Sequence, residues 1–224
     1  MPPPAAVLFD LYDTLVHAAP GNSFYRAVPT ALGVGQERWL GCYRALGPAA
    51  MLGEVPDMTS RVHLACHRAG QPRDRDAVAS VVRDLLPLLY AGIEPDRQAL
   101  AALDDLRAAG VRLAIVSNAA RHSERLLDAF GFRNRVSATA MSWSIGVLKP
   151  DPRIYRAALD ALRVVTGEAA FVGDGRDREL QGARRLGLRT VLIERGLPHT
   201  ESARADADLC CADLAEAVRA LLAQ

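Results

Sequence analysis

Short β-rich apolar runs alternate with helical segments along most of this chain, and that alternation leaves few folds open to it. Val7-Leu8-Phe9, Val111 to Val116, Ala170 to Val172 and Thr190 to Ile193 read as buried strands. Val136 to Ser142 is weaker, and Ala207 to Cys210 reads as a short edge strand. Between them the spacing predicts helices over Pro95 to Ala109, Ser123 to Phe130, Pro152 to Leu162, Arg178 to Leu186 and Asp213 to Leu222. The first starts at a proline, and Gly110, Gly131 and Gly187 stop the helices that precede them. Strands alternating with helices imply right-handed crossovers and a parallel sheet covered on both faces.

The stretch from Val16 to Gly92 is the exception. It holds no convincing strand, only helical patterns broken at Gly33–Gly35, Gly47-Pro48, Gly53–Pro56 and Gly70–Pro72. The expected architecture is therefore α/β: a parallel-sheet core over 1–15 and 93–224, with an all-helical insert over 16–92 packed against it. A chain of 224 residues, 50% hydrophobic, is large enough for such a core.

Charge and composition exclude several classes. With 27 basic and 26 acidic residues the net charge is +1, so the chain lacks the basic field of a nucleic-acid binder. No apolar run approaches the length of a membrane span, and the Met-Pro-Pro-Pro-Ala-Ala start does not resemble a signal peptide. A cytoplasmic protein, monomer or homodimer, is expected. Cys42, Cys66, Cys210 and Cys211 lack zinc-site spacing and read as reduced thiols. His63, Cys66 and His67 would share one helix face, read as partly buried rather than as a metal cluster.

One residue is conspicuous: Lys149 is the only lysine in a chain that otherwise uses arginine. A lysine is kept where a compact ammonium must enter a small anionic pocket that the planar guanidinium does not fit. Lys149 lies in Gly-Val-Leu-Lys-Pro-Asp-Pro, just before the helix at Pro152. The other polar residues gather at strand ends: Phe9-Asp10-Leu11-Tyr12-Asp13-Thr14, Val116-Ser117-Asn118 and Gly173-Asp174-Gly175-Arg176-Asp177-Arg178-Glu179. Ligands of open parallel sheets bind beyond the carboxyl ends of strands. The set would bring a carboxylate, a hydroxyl beside free backbone N–H groups, an ammonium and an acidic pair around one crevice.

These segments, in this order, resemble the four motifs of the haloacid dehalogenase superfamily, which consists mostly of phosphohydrolases. The resemblance covers nearly the whole chain: the insert looks like the family's helical cap domain on a Rossmann-like core. Gln181-Gly182-Ala183 through Leu188-Arg189-Thr190-Val191-Leu192-Ile193 is similar to the family's continuation after the fourth motif. The resemblance implies that Asp10 is a nucleophile forming a covalent aspartyl intermediate. Ser117, with the Asn118 backbone, would bind oxygens of the transferring group, and Lys149 would neutralise charge. Asp10, the Tyr12 carbonyl and Asp174 would hold Mg²⁺, with Glu179 bonding a metal-bound water.

The pattern breaks at Tyr12. Family phosphatases usually carry there a second aspartate, the general acid. The dehalogenating branch has Asp-x-Tyr-Gly-Thr instead, and this chain reads Asp10-Leu11-Tyr12-Asp13-Thr14. Ser117, Asn118 and Tyr155 also look like that branch. Asp174 and Glu179 preserve the metal-binding form. Asp13 is a candidate for the missing acid, and Thr14 and Tyr155 are further accessory candidates. The expectation is a Mg²⁺-dependent phosphatase of a small organic phosphate. The alternatives are a metal-independent 2-haloacid dehalogenase and a catalytically weak relative that binds a partner. In the cap, Tyr25, Arg38, Trp39, Arg44 and His63 are the residues most able to meet a ligand, and some part of Gln36–Arg44 is expected to face the site.

Overall fold

The computed structural model describes residues 3–18 and 21–223. The chain begins with β1 (Ala6–Phe9), turns tightly and enters β2 (Val16–Ala18). Helices α1 (Phe24–Ala31), α2 (Gln36–Ala45), α3 (Gly47–Met51), α4 (Met58–Arg68) and α5 (Arg75–Ala91) follow, and β3 (Ile93–Pro95) leads back. Then come α6 (Ala99–Ala108), β4 (Arg112–Ser117), α7 (Glu124–Ala129), β5 (Ala138–Met141), α8 (Ser142–Ile145) and α9 (Pro152–Leu162). The rest is β6 (Ala169–Gly173), α10 (Glu179–Leu186), β7 (Arg189–Ile193), α11 (Thr200–Ala203), β8 (Leu209–Cys211) and α12 (Leu214–Leu222).

The main sheet runs β5-β4-β1-β6-β7-β8 with every neighbouring pair parallel. It is the α/β arrangement that the strand–helix alternation implies. Successive side chains on a strand point to opposite faces, and here both faces are covered. Val7 and Phe9 join Leu113, Ile115 and the apolar sides of α6 and α12. Ala6 and Leu8 join Ala114, Val116 and the apolar sides of α9 and α10. Burial on both faces is why these strands read as unbroken apolar runs, each large side chain contributing about 1.5–3 kcal/mol. β1 lies between β4 and β6, so the loops after these three strands share one rim.

The helices α1–α5 have an apolar core of their own, built on Phe24, Val28, Trp39, Tyr43, Val62 and Val78. Asp57 and Asp74 cap α4 and α5 by accepting backbone N–H bonds. The bundle is tied to the sheet layer at Ser142, whose hydroxyl donates to Met51 O (2.7 Å) and accepts from Ala119 N (3.0 Å). Gly53, at φ +78°, lies so close to the Trp143 carbonyl that a β-carbon would collide with it.

Local pattern erred at three places. The 16–92 stretch is not purely helical: β2 pairs antiparallel with β3, Val16 opposite Pro95 and Ala18 opposite Ile93. Three-residue strands are too short to show a period. Pro95 ends that ribbon and does not start a helix; α6 begins at Ala99, after a turn in which Asp96 accepts from Gln98 N (2.8 Å) and Ala99 N (3.0 Å). The edge strand near Ala207 is shifted to Leu209–Cys211, where Asp208 N bonds Thr190 O and brings the chain into register with β7. No helix among the described residues is long and apolar enough to cross a membrane.

Candidate active site

Asp10 follows β1, and its N–H bonds Val172 O on β6 at 2.9 Å, which fixes the start of the loop. The chain then closes a tight turn: Leu15 N and Val16 N both bond Leu11 O at 2.9 Å, and Asp13 N bonds Val16 O at 2.7 Å. Asp13 sits at φ +57°, the left-handed region that glycine takes freely and aspartate tolerates. That is the position where the dehalogenating branch carries glycine.

Lys149 reaches this loop from the segment before α9. Asn118, just past β4, anchors it: Asn118 Oδ1 accepts Lys149 N (2.7 Å), while Asn118 Nδ2 donates to Asp177 Oδ2 (2.9 Å). The Lys149 ammonium is ion-paired with both Asp10 and Glu179, and all three side chains are buried. Its nitrogen also stands 5.5 Å from the centre of the Phe171 ring. Glu179 is held by Gly175 N on its other oxygen (3.0 Å), and its carbonyl accepts from the Tyr155 hydroxyl (2.8 Å). A β-carbon on Gly173 would collide with Glu179 Oε1, so the glycine before Asp174 makes room for this carboxylate.

Asp174, fully buried, follows β6. It accepts from Arg176 N (3.1 Å) and from His199 Nε2 (2.9 Å). Carboxylate oxygens of Asp10, Asp174 and Glu179 lie within 4.8 Å of one another. Burial pushes the Asp10 carboxyl up, Asp174 adds to this, and Lys149 opposes it. Glu179 is pushed well up for the same reasons, burial first. Burial alone would lower the Lys149 ammonium, but the charges of Asp10 and Glu179 outweigh it and hold the group above its ordinary value. Two of the three buried carboxylates share the Lys149 ammonium, while Asp174 meets His199 and, at 3.8 Å, the half-exposed Arg176 guanidinium. The all-oxygen donor set fits a hard divalent ion such as Mg²⁺.

The remaining expected residues have distinct places. Ser117 ends β4 and is buried. The Tyr12 hydroxyl is bonded to Ser123 Oγ (2.8 Å), and burial pushes its phenol up to about 12. Asp13 is turned outward to Arg176 Nη2 at 2.6 Å. Thr14 is buried, and its hydroxyl has no partner among the described residues. Trp39 is interior to the helical bundle, stacked on Tyr43 at 5.0 Å between ring centres. His63 packs on His67, 4.6 Å between rings, and this face joins no metal-binding group among the described residues. Gln36, Leu40 and Arg44 line a crevice of about 460 Å³ together with Tyr25 and Tyr12; Arg38 does not reach it.

Sequence reasoning passed over His199, Arg176 and Arg195. Arg195 donates to Asp13 O (3.1 Å), Thr14 O (2.9 Å) and Asp96 Oδ2 (2.8 Å). Both His199 and Arg195 follow β7, whose carboxyl end shares the rim with those of β1 and β6. The strand-end rule, applied to Ile193 as well, points to them.

Known proteins resemble this chain in sequence and in fold. The haloacid dehalogenase-like hydrolase family matches residues 4–187. A phosphoserine phosphatase of Thermus thermophilus is 39% identical over 121 residues, 53% of this chain and 48% of that protein. The chain thus spans about half the length of that relative. A phosphoglycolate phosphatase of Rhodospirillum rubrum is 30% identical over 202 residues, 86% of this chain and 80% of that protein. A (S)-2-haloacid dehalogenase of Pseudomonas sp. is 32% identical over 107 residues, 47% of this chain and 46% of that protein. Among solved structures, a phosphatase from Thermococcus onnurineus superposes with a TM-score of 0.68 at 21% identity, covering 96% of this chain and 97% of that one.

Proposed function

Because the chain belongs to the haloacid dehalogenase-like hydrolase family, we propose that it is a Mg²⁺-dependent phosphatase of a small organic phosphate, working through Asp10. The observation that carries this reading is the buried trio Asp10, Asp174 and Glu179, whose carboxylate oxygens lie within 4.8 Å of one another and of which Asp10 and Glu179 are paired with Lys149. Dehalogenation requires no cation, and a second buried aspartate beside the nucleophile would only oppose its ionisation. Asp10, the Tyr12 carbonyl and Asp174 would hold the ion, with Glu179 behind them. When bound, Mg²⁺ would neutralise charge on the phosphoryl oxygens and on Asp10.

In this reading an Asp10 carboxylate oxygen bonds to phosphorus while the bond from phosphorus to the ester oxygen breaks. Water then attacks the phosphorus of the aspartyl phosphate, releasing inorganic phosphate and regenerating Asp10. The Ser117 hydroxyl and the Asn118 N–H hold phosphoryl oxygens, and Lys149 stabilises the charge they gain. Tyr12 is a poor acid, with its hydroxyl bonded to Ser123 and its phenol pushed up to about 12. The leaving oxygen then takes its proton from water, which favours substrates whose leaving group needs little help.

We divide the chain into a core, 1–15 and 93–224, and a cap, 16–92, that closes over the rim, shuts out water and selects the substrate. The free thiols of Cys42, Cys66, Cys210 and Cys211 suit a reducing cytoplasm. One observation favours a second reading, 2-haloacid dehalogenation: Tyr12 stands where a phosphatase carries its acid, and halide leaves without a proton. The two separate on an aryl phosphate and 2-chloropropionate, each assayed with Mg²⁺ and with EDTA. Phosphate release that EDTA abolishes supports the phosphatase. Metal-independent chloride release without phosphatase activity would reject it.

A further inference from the structure

We infer that the substrate carries a second anionic group, a carboxylate or a further phosphate, held by Arg26 and Arg44 in the crevice beside Tyr12. This rests on the phosphatase reading and specifies its substrate class.

The crevice, about 460 Å³, has the size of a small-molecule site. Tyr12 forms part of its wall and stands two residues after Asp10 in the same loop. In this proposal the organic group of a phosphate bound at Asp10 extends past Tyr12 into the crevice. Arg26 projects from α1 and Arg44 from α2, and both line the same cavity. The two arginines come from separate helices, line the same crevice and are exposed to an incoming ligand.

The electrostatics point the same way. Among the described residues no aspartate or glutamate lines the crevice. Neither guanidinium is paired with a carboxylate among the described residues, whereas Arg133, Arg135, Arg153, Arg176 and Arg204 each are. Tyr25 supplies no negative charge: burial pushes its phenol up, keeping it protonated. His122, also in the lining, is pushed down to about 4 by burial and by the nearby Arg61 charge. It is therefore neutral at pH 7 and able to accept or donate without opposing an anion. Guanidinium groups bind carboxylate and phosphate through paired N–H bonds.

The test compares matched phosphate esters with Mg²⁺ present: phosphoglycolate, its amide, and ethylene glycol bisphosphate. The expected result is kcat/KM at least about 10-fold higher for one of the charged esters than for the amide, with the difference mainly in KM. The carboxylate and bisphosphate arms decide which anion the crevice takes. In Arg26→Gln and Arg44→Gln, and most in the double variant, that ratio should fall toward one, while Arg44→Lys should retain part of it. Melting curves verify that the variants are folded. Esters hydrolysed with no preference for charge, or a preference that survives the double variant, would overturn the inference and leave the phosphatase reading intact. Failure to hydrolyse any of the three would count against the phosphatase reading itself.

Discussion

The Lys149 ammonium stands between Asp10 and Glu179 and is paired with both, within a pocket closed enough that all three side chains are buried. Three short connections fix it there: Asn118 to its backbone N–H, Gly175 to the far oxygen of Glu179, and the Phe171 ring along one side. A guanidinium is wider, spreads its charge over a plane and needs its own set of acceptors. Lys149→Arg is therefore expected to lower kcat on an aryl phosphate by at least about 100-fold although the charge is kept. Near-normal turnover would show that the pocket tolerates the larger group and that the lone lysine carries no special role.

Tyr12 occupies the place of the family's usual acid, yet its hydroxyl is bonded to Ser123 and its phenol is a weak donor. An enzyme without that acid should depend steeply on leaving-group quality. Tyr12→Asp is expected to raise kcat/KM for alkyl phosphates relative to aryl phosphates by about 10-fold or more, within the range general acids contribute. It should also cost about 1–3 kcal/mol of stability by stranding Ser123 and removing a packed ring. A plot of log kcat against leaving-group pKa should flatten in the variant. An unchanged slope would mean that position 12 does not face the leaving oxygen.

What could be read from the chain before its structure divides along physical lines. The strands were legible because burial on both faces makes them continuous apolar runs, and the helices because glycine closes them. The candidate site residues Asp10, Ser117, Lys149, Asp174 and Glu179 could be picked out because each stands at or just beyond a strand end or near a helix start. The β2–β3 ribbon was not, since His17 opposite Glu94 gives no alternation that a three-residue strand could display. Pro95 misled because proline suits both an edge strand and a first helical turn, and the Asp96 turn decided between them. The partners His199 to Asp174 and Arg195 to Asp13 depend on contacts far apart in the chain, which no local period encodes.

His122 is held near 4 in the folded chain, against an ordinary 6.5, by burial first and by the charge of Arg61 second. Between those values the unfolded chain binds a proton that the folded chain excludes. Stability contributed by the neutral ring is thus complete above about 6.5, falls as pH drops toward 4, and changes no further once the folded form also takes the proton. His122→Phe, which cannot titrate, should show a shallower loss of melting temperature across that window and a parallel profile above pH 7. Identical slopes for the two proteins would mean that His122 protonates freely when folded.

Arg195 ties the turn after Asp10 to the end of β7 and to the ribbon that leads into the helical bundle. Its guanidinium donates to the carbonyls of Asp13 and Thr14 and to Asp96, and Asp96 in turn bonds His17 on β2 (3.0 Å). The side chains of Arg195 and Asp96 are only 17% and 12% exposed, so this pair is not a screened surface ion pair. Burial pushes the Asp96 carboxyl up, but His17, the Gln98 N–H and Arg195 together bring it below its ordinary value. Arg195→Ala removes a planar donor from three acceptors at once and is expected to destabilise the chain by about 2–4 kcal/mol, measured by denaturant unfolding. Because those carbonyls belong to the turn that orients the Tyr12 backbone beside Asp10, kcat should fall more than KM rises. Arg195→Lys keeps the charge facing Asp96 and cannot span both carbonyls, so it should restore stability more fully than turnover. If Arg195→Lys instead recovered kcat along with stability, the fork's hold on the Asp13–Thr14 turn would be irrelevant to the chemistry at Asp10.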